Sequence, residues 1–382
     1  MLKLEGATYT STEIFQQPNV WEKSLSLFAQ KKDKYNSFLQ AIYAKHEVVK
    51  VIFTGAGTSA FIGDILAPIF KQEAKNKVFF EAVPTTEIVS NPKEYLVSEI
   101  PTILVSFARS GNSPESVATV NLGQQLIKDF YQVVITCNKE GQLAQNVKDD
   151  KDSLVILLPE EANDKSLAMT SSFSCMLLMA YALFTNNPSF EQEMDLIIEN
   201  GKQLIHTVEA SVDKVLESDF NRIIYLGSGL LGQLAHEASL KMLELTAGKV
   251  VATYESSLGF RHGPKSILND QSIVALFLSS DPYTRKYDLD ILKEVSGIEG
   301  VKVIALTDKV DETVEQYADW KFSVNTSSEL LKNDFYLALL YIVFAQTLAM
   351  KKAINLGISP DNPSPNGVIS RVVQGVTIYD YE

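Results

Sequence analysis

The sequence predicts an α/β protein with two tandem copies of one plan: a parallel sheet flanked by helices. A helical N-terminal arm and an extended C-terminal tail complete it. The first observation behind this is a repeat. Val51-Ile52-Phe53-Thr54-Gly55-Ala56-Gly57 is matched by Ile223-Ile224-Tyr225-Leu226-Gly227-Ser228-Gly229, roughly 172 positions further on. Ile103-Leu104-Val105 pairs with Ile273-Val274-Ala275, and Val133-Val134-Ile135 with Val303-Ile304-Ala305, at nearly the same offset. The second observation is pattern. These apolar runs are continuous rather than alternating, as in strands covered on both faces, and helical stretches separate them. The third is length, because 382 residues exceed one ordinary core and suit about two domains.

The elements follow in order. Residues 1–46 read as a helical arm, polar from Asn19 onward. Residues 47–216 are expected to hold the first domain and a connector. Its repeat spans 47–190 and closes with a helix at 168–184; a polar helical connector follows at 191–216. Residues 217–358 hold the second domain, its repeat at 220–355 closed by a helix at 329–353. The tail, 359–382, contains Pro360, Pro363 and Pro365 and is expected to be extended. The most apolar stretches, 173–184 and 335–350, fall short of the roughly 18 residues a membrane span requires and read as buried helices.

Composition narrows the partners. A formal net charge of −13 disfavours nucleic acid and acidic membrane surfaces. It does not disfavour a local phosphate site, which backbone amides at a helix N-terminus supply without net basicity. Cys137 and Cys175 give neither a disulfide framework nor a paired zinc spacing, and read as reduced core thiols of a cytoplasmic protein. The first six residues hold no apolar signal core.

Ser110-Gly111-Asn112-Ser113-Pro114-Glu115 is the first segment that points to chemistry. Ser113 stands where an N-cap belongs and Pro114 at the first helical position, so free amides and the helix dipole face the strand end. Ser110 and Ser113 add hydroxyls, and Gly111 permits close backbone approach. A plain capped helix start explains Ser113 and Pro114 but not Ser110-Gly111. Gly57-Thr58-Ser59 ends the neighbouring strand, and Arg109 adds a cation. Copy two has Leu230-Leu231 and Ser279-Ser280-Asp281 in these places, apolar in one and acidic in the other, so a single anion cradle is expected. Gly55-Ala56-Gly57 also admits a dinucleotide turn, with Ala60 in the third glycine's place and Glu81 ending the next strand. A second glycine loop without hydroxyls fits that reading poorly.

In His236-Glu237-Ala238-Ser239-Leu240-Lys241-Met242-Leu243-Glu244 a zinc protease would need histidine at 240, where Leu240 stands. Glu237, Lys241 and Glu244 form a partial polar stripe at helical spacing, of which the plain reading is a surface salt bridge. Gly259-Phe260-Arg261-His262-Gly263-Pro264-Lys265 places a histidine on a shaped loop, where imidazole is a natural proton carrier near neutrality. His46 and His206 lie in polar helical contexts and suggest nothing special.

Together, Gly55-Ala56-Gly57-Thr58-Ser59, Arg109-Ser110-Gly111-Asn112-Ser113, Lys241-Met242-Leu243-Glu244 and Arg261-His262-Gly263-Pro264 resemble the sugar isomerase (SIS) family in its tandem form. The likeness covers nearly everything after residue 46, in an arrangement similar to the isomerase half of glucosamine-6-phosphate synthase. Residues 106–116, 167–172 and 371–376 resemble a narrower branch of deaminase/isomerases that act on galactosamine 6-phosphate or tagatose 6-phosphate. The resemblance implies that Ser59, Ser110 and Ser113 grip a sugar phosphate and that Glu244 shuttles a proton between C2 and C1. It implies that His262 assists ring opening, in the synthase from a neighbouring subunit, and that Lys241 contacts hydroxyls or tunes the glutamate. It also implies a homodimer or higher homo-oligomer and no metal or redox cofactor. Two departures matter. Position 2 is Leu2, not the synthase's cysteine nucleophile, which favours releasing ammonia over synthesis from glutamine. Gln374 stands where the synthase tail has its lysine, so a lysine Schiff base is not expected. A plain aldose–ketose isomerase and a non-catalytic sugar-phosphate sensor are the alternatives. The absence of a basic recognition helix in residues 1–46 counts against the sensor.

Overall fold

The computed structural model describes residues 6–73, 77–373 and 375–382. Gln374 lies outside the described residues. Ten strands and fourteen α-helices follow the chain among those described. Three helices come first, α1 (Thr8–Phe15), α2 (Gln17–Ala29) and α3 (Lys32–Lys45). Then come β1 (Val49–Thr54), α4 (Thr58–Glu73), β2 (Val78–Ala82), α5 (Thr85–Ser90), α6 (Pro92–Tyr95), β3 (Thr102–Ala108), α7 (Pro114–Leu126), β4 (Phe130–Thr136), α8 (Gln142–Gln145), β5 (Ser153–Leu157) and α9 (Ser171–Phe184). A long helix, α10 (Phe190–Leu216), precedes β6 (Arg222–Gly227), α11 (Leu230–Leu245), β7 (Val251–Ser256), β8 (Ser272–Phe277), α12 (Thr284–Ser296), β9 (Lys302–Thr307), α13 (Glu312–Tyr317), β10 (Trp320–Ser323) and α14 (Asp334–Asn355).

All strand pairs are parallel and the two sheets share one topology, β2-β1-β3-β4-β5 and β7-β6-β8-β9-β10 in mirror listing. The repeat read in the sequence is therefore a repeat of structure. In each sheet the first strand lies between the second and the third, so the direction of winding reverses beside it. Ligands of open α/β sheets bind at that reversal, outside the carboxyl ends of the strands.

The described residues form two units. The first comprises 19–164, 169–190 and 366–382, and the second 165–168, 191–365 and the residues up to Pro18. Beneath the first sheet Phe53 stacks on Phe80 and meets Phe70, Phe107 and Phe184, with ring centroids 5.5 to 6.1 Å apart. Such rings contribute beyond their buried area. The opposite face packs Ile52, Leu104 and Val134 against Val120 and Leu122 of α7. In the second unit Ile224, Val274 and Val303 pack on Ile291, Leu292 and Val295 of α12.

Several expectations change in detail. The arm is three helices shared between the units, α1 with the second and α3 with the first. The closing helix of copy one starts at Ser171, because buried Asp164 accepts the backbone amides of Thr170, Ser171 and Ser172 at 2.8 to 3.1 Å. The connector is amphipathic rather than merely polar, burying Met194, Ile197, Val208, Val212 and Val215. The last helix starts later than expected, capped by Asn333, whose side chain accepts from Phe335 N at 2.9 Å. It runs 22 residues and thereby has the length and apolarity of a span, but Phe335 through Ala349 are buried in the second unit. Residues 359–382 carry neither helix nor strand where described.

Candidate functional site

In the first unit β1 and β3 pair with Thr54 opposite Ser106, so the loops that leave them are neighbours at the winding reversal. β1 passes through Gly55-Ala56-Gly57 into α4. A side chain at 55 would meet Ser59 backbone at 2.6 Å, and Gly57 adopts φ +56°, so both glycines are required by geometry. Thr58 and Ser59 open α4 and are nearly buried, with the positive end of the helix dipole at this strand end. Among the described residues the Ser59 hydroxyl makes a long contact to Met169 Sδ, 3.8 Å.

β3 ends at Ala108. Gly111 then turns the chain at φ +69°, and Ser113 and Pro114 occupy the N-cap and first helical positions of α7 as anticipated. The Ser113 side chain makes no capping bond, so its hydroxyl is not used to start the helix. Ser110 Oγ accepts from Asn112 N at 3.3 Å, and Asn138 Nδ2 reaches the Ser110 carbonyl at 2.8 Å. Two helix N-termini, α4 and α7, thus stand at adjacent strand ends with three hydroxyls beside them, an arrangement suited to an anion.

Arg109 is buried and donates through Nη2 to the Arg371 carbonyl at 3.1 Å. Arg371 in turn donates to Asn163 Oδ1 at 2.7 Å and to the Asp164 carbonyl. The C-terminal tail is thereby tied to Arg109, Asn163 and Asp164 of the first unit.

In the second unit α11 carries Glu237, Lys241 and Glu244 on one face. The surface salt bridge expected of this stripe is not what forms. Glu237 and Lys241 are fully buried. Lys241 Nζ donates to Glu244 Oε2 at 2.5 Å and stands 3.5 Å from Glu237 Oε1. Burying an ammonium costs several kcal/mol unless carboxylates compensate it, and here two do. Glu244 keeps a quarter of its side chain exposed, which leaves one carboxylate that a substrate can reach. On the same helix His236 stacks on Tyr254, with centroids 3.9 Å apart and planes 15° apart. Burial lowers the His236 pKa from 6.5 to about 4.

His262 is exposed and sits between two short 3₁₀ turns, Gly259–Arg261 and Pro264–Ile267, with its amide donating to the Gly259 carbonyl at 2.9 Å. Gly263, at φ +121°, makes the turn between them possible. Among the described residues no cluster of three or more His, Cys, Asp or Glu is placed to hold a metal ion.

In the loops of the second unit Ser228, Ser257 and Ser279 supply hydroxyls or an amide at the ends of β6, β7 and β8, and Asp288 engages them.

Comparison with known proteins gives three results. The model of the SIS domain matches residues 45–186 and 218–355. The chain is 42% identical over 98% of its length to a Shewanella protein named D-galactosamine-6-phosphate deaminase AgaS, covering 93% of it. It is 40% identical over 98% of its length to an Escherichia coli protein of the same name, covering 96%. Among solved structures, the tagatose-6-phosphate ketose/aldose isomerase of Escherichia coli superposes with a TM-score of 0.88 at 38% identity, over 99% of this chain and 98% of that one.

Proposed function

The chain belongs to the SIS domain family, and from that membership we propose that it converts galactosamine 6-phosphate and water to tagatose 6-phosphate and ammonia. The observation that carries the chemistry is the α11 stripe, a reachable Glu244 carboxylate bonded at 2.5 Å by a fully buried lysine. The open-chain amino sugar has an acidic hydrogen on C2, beside the C1 aldehyde. Glu244 removes that proton, the C2–H electrons form the C1–C2 double bond, and the C1–O π pair moves to O1, which takes a proton from water and becomes a hydroxyl. Return of the proton at C1 leaves an iminium at C2. Water adds to this carbon, the C2–N bond breaks, and ammonia departs as the ketose forms. Lys241 holds the carboxylate throughout, and His262 carries the proton that opens the sugar ring.

The phosphate is assigned to Gly57, Thr58, Ser59, Arg109, Ser110 and Ser113 of the first unit. Two adjacent helix N-termini at the winding reversal support that assignment. We further assign the protein to the cytoplasm and to a homodimer or higher homo-oligomer. The name of the Escherichia coli structure favours a second reading, aldose–ketose isomerisation without loss of nitrogen.

One assay separates the two. The purified protein is given galactosamine 6-phosphate, and ammonia and ketose are followed together. Equal release of both is expected, with Glu244→Gln slower by about 10²–10⁴-fold. Turnover of tagatose 6-phosphate with no ammonia from the amino sugar would establish the second reading and overturn the first. An undiminished rate in Glu244→Gln would remove Glu244 from the mechanism.

A further inference from the structure

Helix α12 has no role in the mechanism above, yet three loops of the second unit depend on it. Its Asp288 is fully buried at the carboxyl ends of β6, β7 and β8. Oδ1 accepts from Ser228 Oγ at 2.6 Å and from Ser257 Oγ at 2.5 Å, and Oδ2 accepts from Ser279 N at 3.0 Å. These donors come from the loop after each of the three strands, and β6 is the strand at the winding reversal. The carboxylate therefore fills the position in which a sheet of this topology takes its ligand. Three donors around two oxygens satisfy a buried anion as a bound phosphate or carboxylate would be satisfied.

The same helix holds the histidine loop further along. Glu294 Oε2 accepts from Arg261 Nε at 2.6 Å, and Glu294 Oε1 from Lys265 Nζ at 2.5 Å. Asp290 Oδ2 takes Arg261 Nη2 at 2.9 Å. Arg261 precedes His262 directly and Lys265 follows it by one turn, so one carboxylate grips the chain on both sides of the imidazole. Ser257, bonded to Asp288, fixes the entry to the same loop.

We propose that α12 is the positioning element for His262, with Asp288 as an internal anion in the second unit's ligand position and Glu294 as the clamp on the loop. The proposal rests on the assignment of His262 to the reaction. It gives copy two a reason to have kept its strand-end donors: they bind the protein's own carboxylate and so order the loop.

The test combines kinetics with chemical rescue. Glu294→Gln keeps shape and loses charge, and is expected to lower kcat about 10- to 100-fold with KM within about two-fold. In a His262→Ala background it is expected to change the residual rate by less than about two-fold, because a residue acting through His262 has nothing left to position. If Glu294→Gln is poorly folded, Lys265→Gln carries the same two expectations. Asp288→Ala is expected to lower the thermal midpoint and kcat, with formate restoring both and chloride at equal ionic strength restoring neither. A wild-type kcat in Glu294→Gln, full multiplicative loss in the His262→Ala background, or equal effects of formate and chloride would overturn the proposal. A wild-type rate in His262→Ala alone would instead remove the histidine's assigned role, and the proposal with it.

Discussion

Lys241 shows how one residue's surroundings decide its chemistry. Its spacing from Glu237 and Glu244 is legible in the sequence, but spacing gives only a helical face, and a face turned to water would make this an exposed pair of little value. Burial converts it into a lysine shared by two carboxylates, at 2.5 and 3.5 Å. His236, one turn earlier, is the residue with a definite pH consequence. The unfolded chain binds its proton below about 6.5, whereas the folded ring does so only below about 4. The unfolded state therefore holds more protons between those values, and this site removes stability as the pH falls from about 6.5 to 4. His236→Phe keeps an aromatic ring against Tyr254 without a titrating group. Its thermal midpoint is expected to fall less over that window than the wild type's, and parallel curves would show that His236 does not contribute.

At the scale of elements, the cradle depends on two helix starts rather than on any one side chain. Charge-assisted hydrogen bonds contribute about 1.5–3 kcal/mol each, so removing two hydroxyls costs at least about 3 kcal/mol of phosphate binding. Ser110→Ala combined with Ser113→Ala is expected to raise KM about 100-fold or more. The thermal midpoint should stay close to wild type, because the Ser113 hydroxyl does not cap α7. An unchanged KM would exclude both serines from phosphate binding. Ser113-Pro114 was enough to locate the start of α7, since its signals are local: proline fixes φ and lacks an amide, and serine tolerates the extended N-cap. The start of α9 was not, because its cap is Asp164, six residues before Thr170 across an irregular loop.

For the whole molecule, the tandem plan follows from the repeat, and the exposed His262 raises the question of which copy of the chain it serves. If the histidine serves a neighbouring subunit, inactive His262→Ala mixed with inactive Glu244→Gln regains activity, since some sites then combine one wild-type residue from each chain. Verified mixed oligomers without activity would assign His262 to its own chain's site.

By itself the sequence determined the parallel strands, the duplication, the glycine turns and the helix start at Pro114, because each is written in a local pattern of apolarity, glycine or proline. Even the residues proposed for chemistry were visible as types and spacings. Tertiary structure alone decided that Lys241 is buried and that Arg371 ties the tail to Arg109. It alone decided that copy two's strand-end donors are already taken by Asp288 and that Glu294 grips both sides of the His262 loop. Each of these joins residues distant in sequence, and depends on which groups share a place sheltered from water. The leucines and Asp281 of copy two were enough to predict a single anion cradle, but that Asp288 takes the copy's strand-end donors was not legible, because it lies 60 residues from Ser228 in the chain.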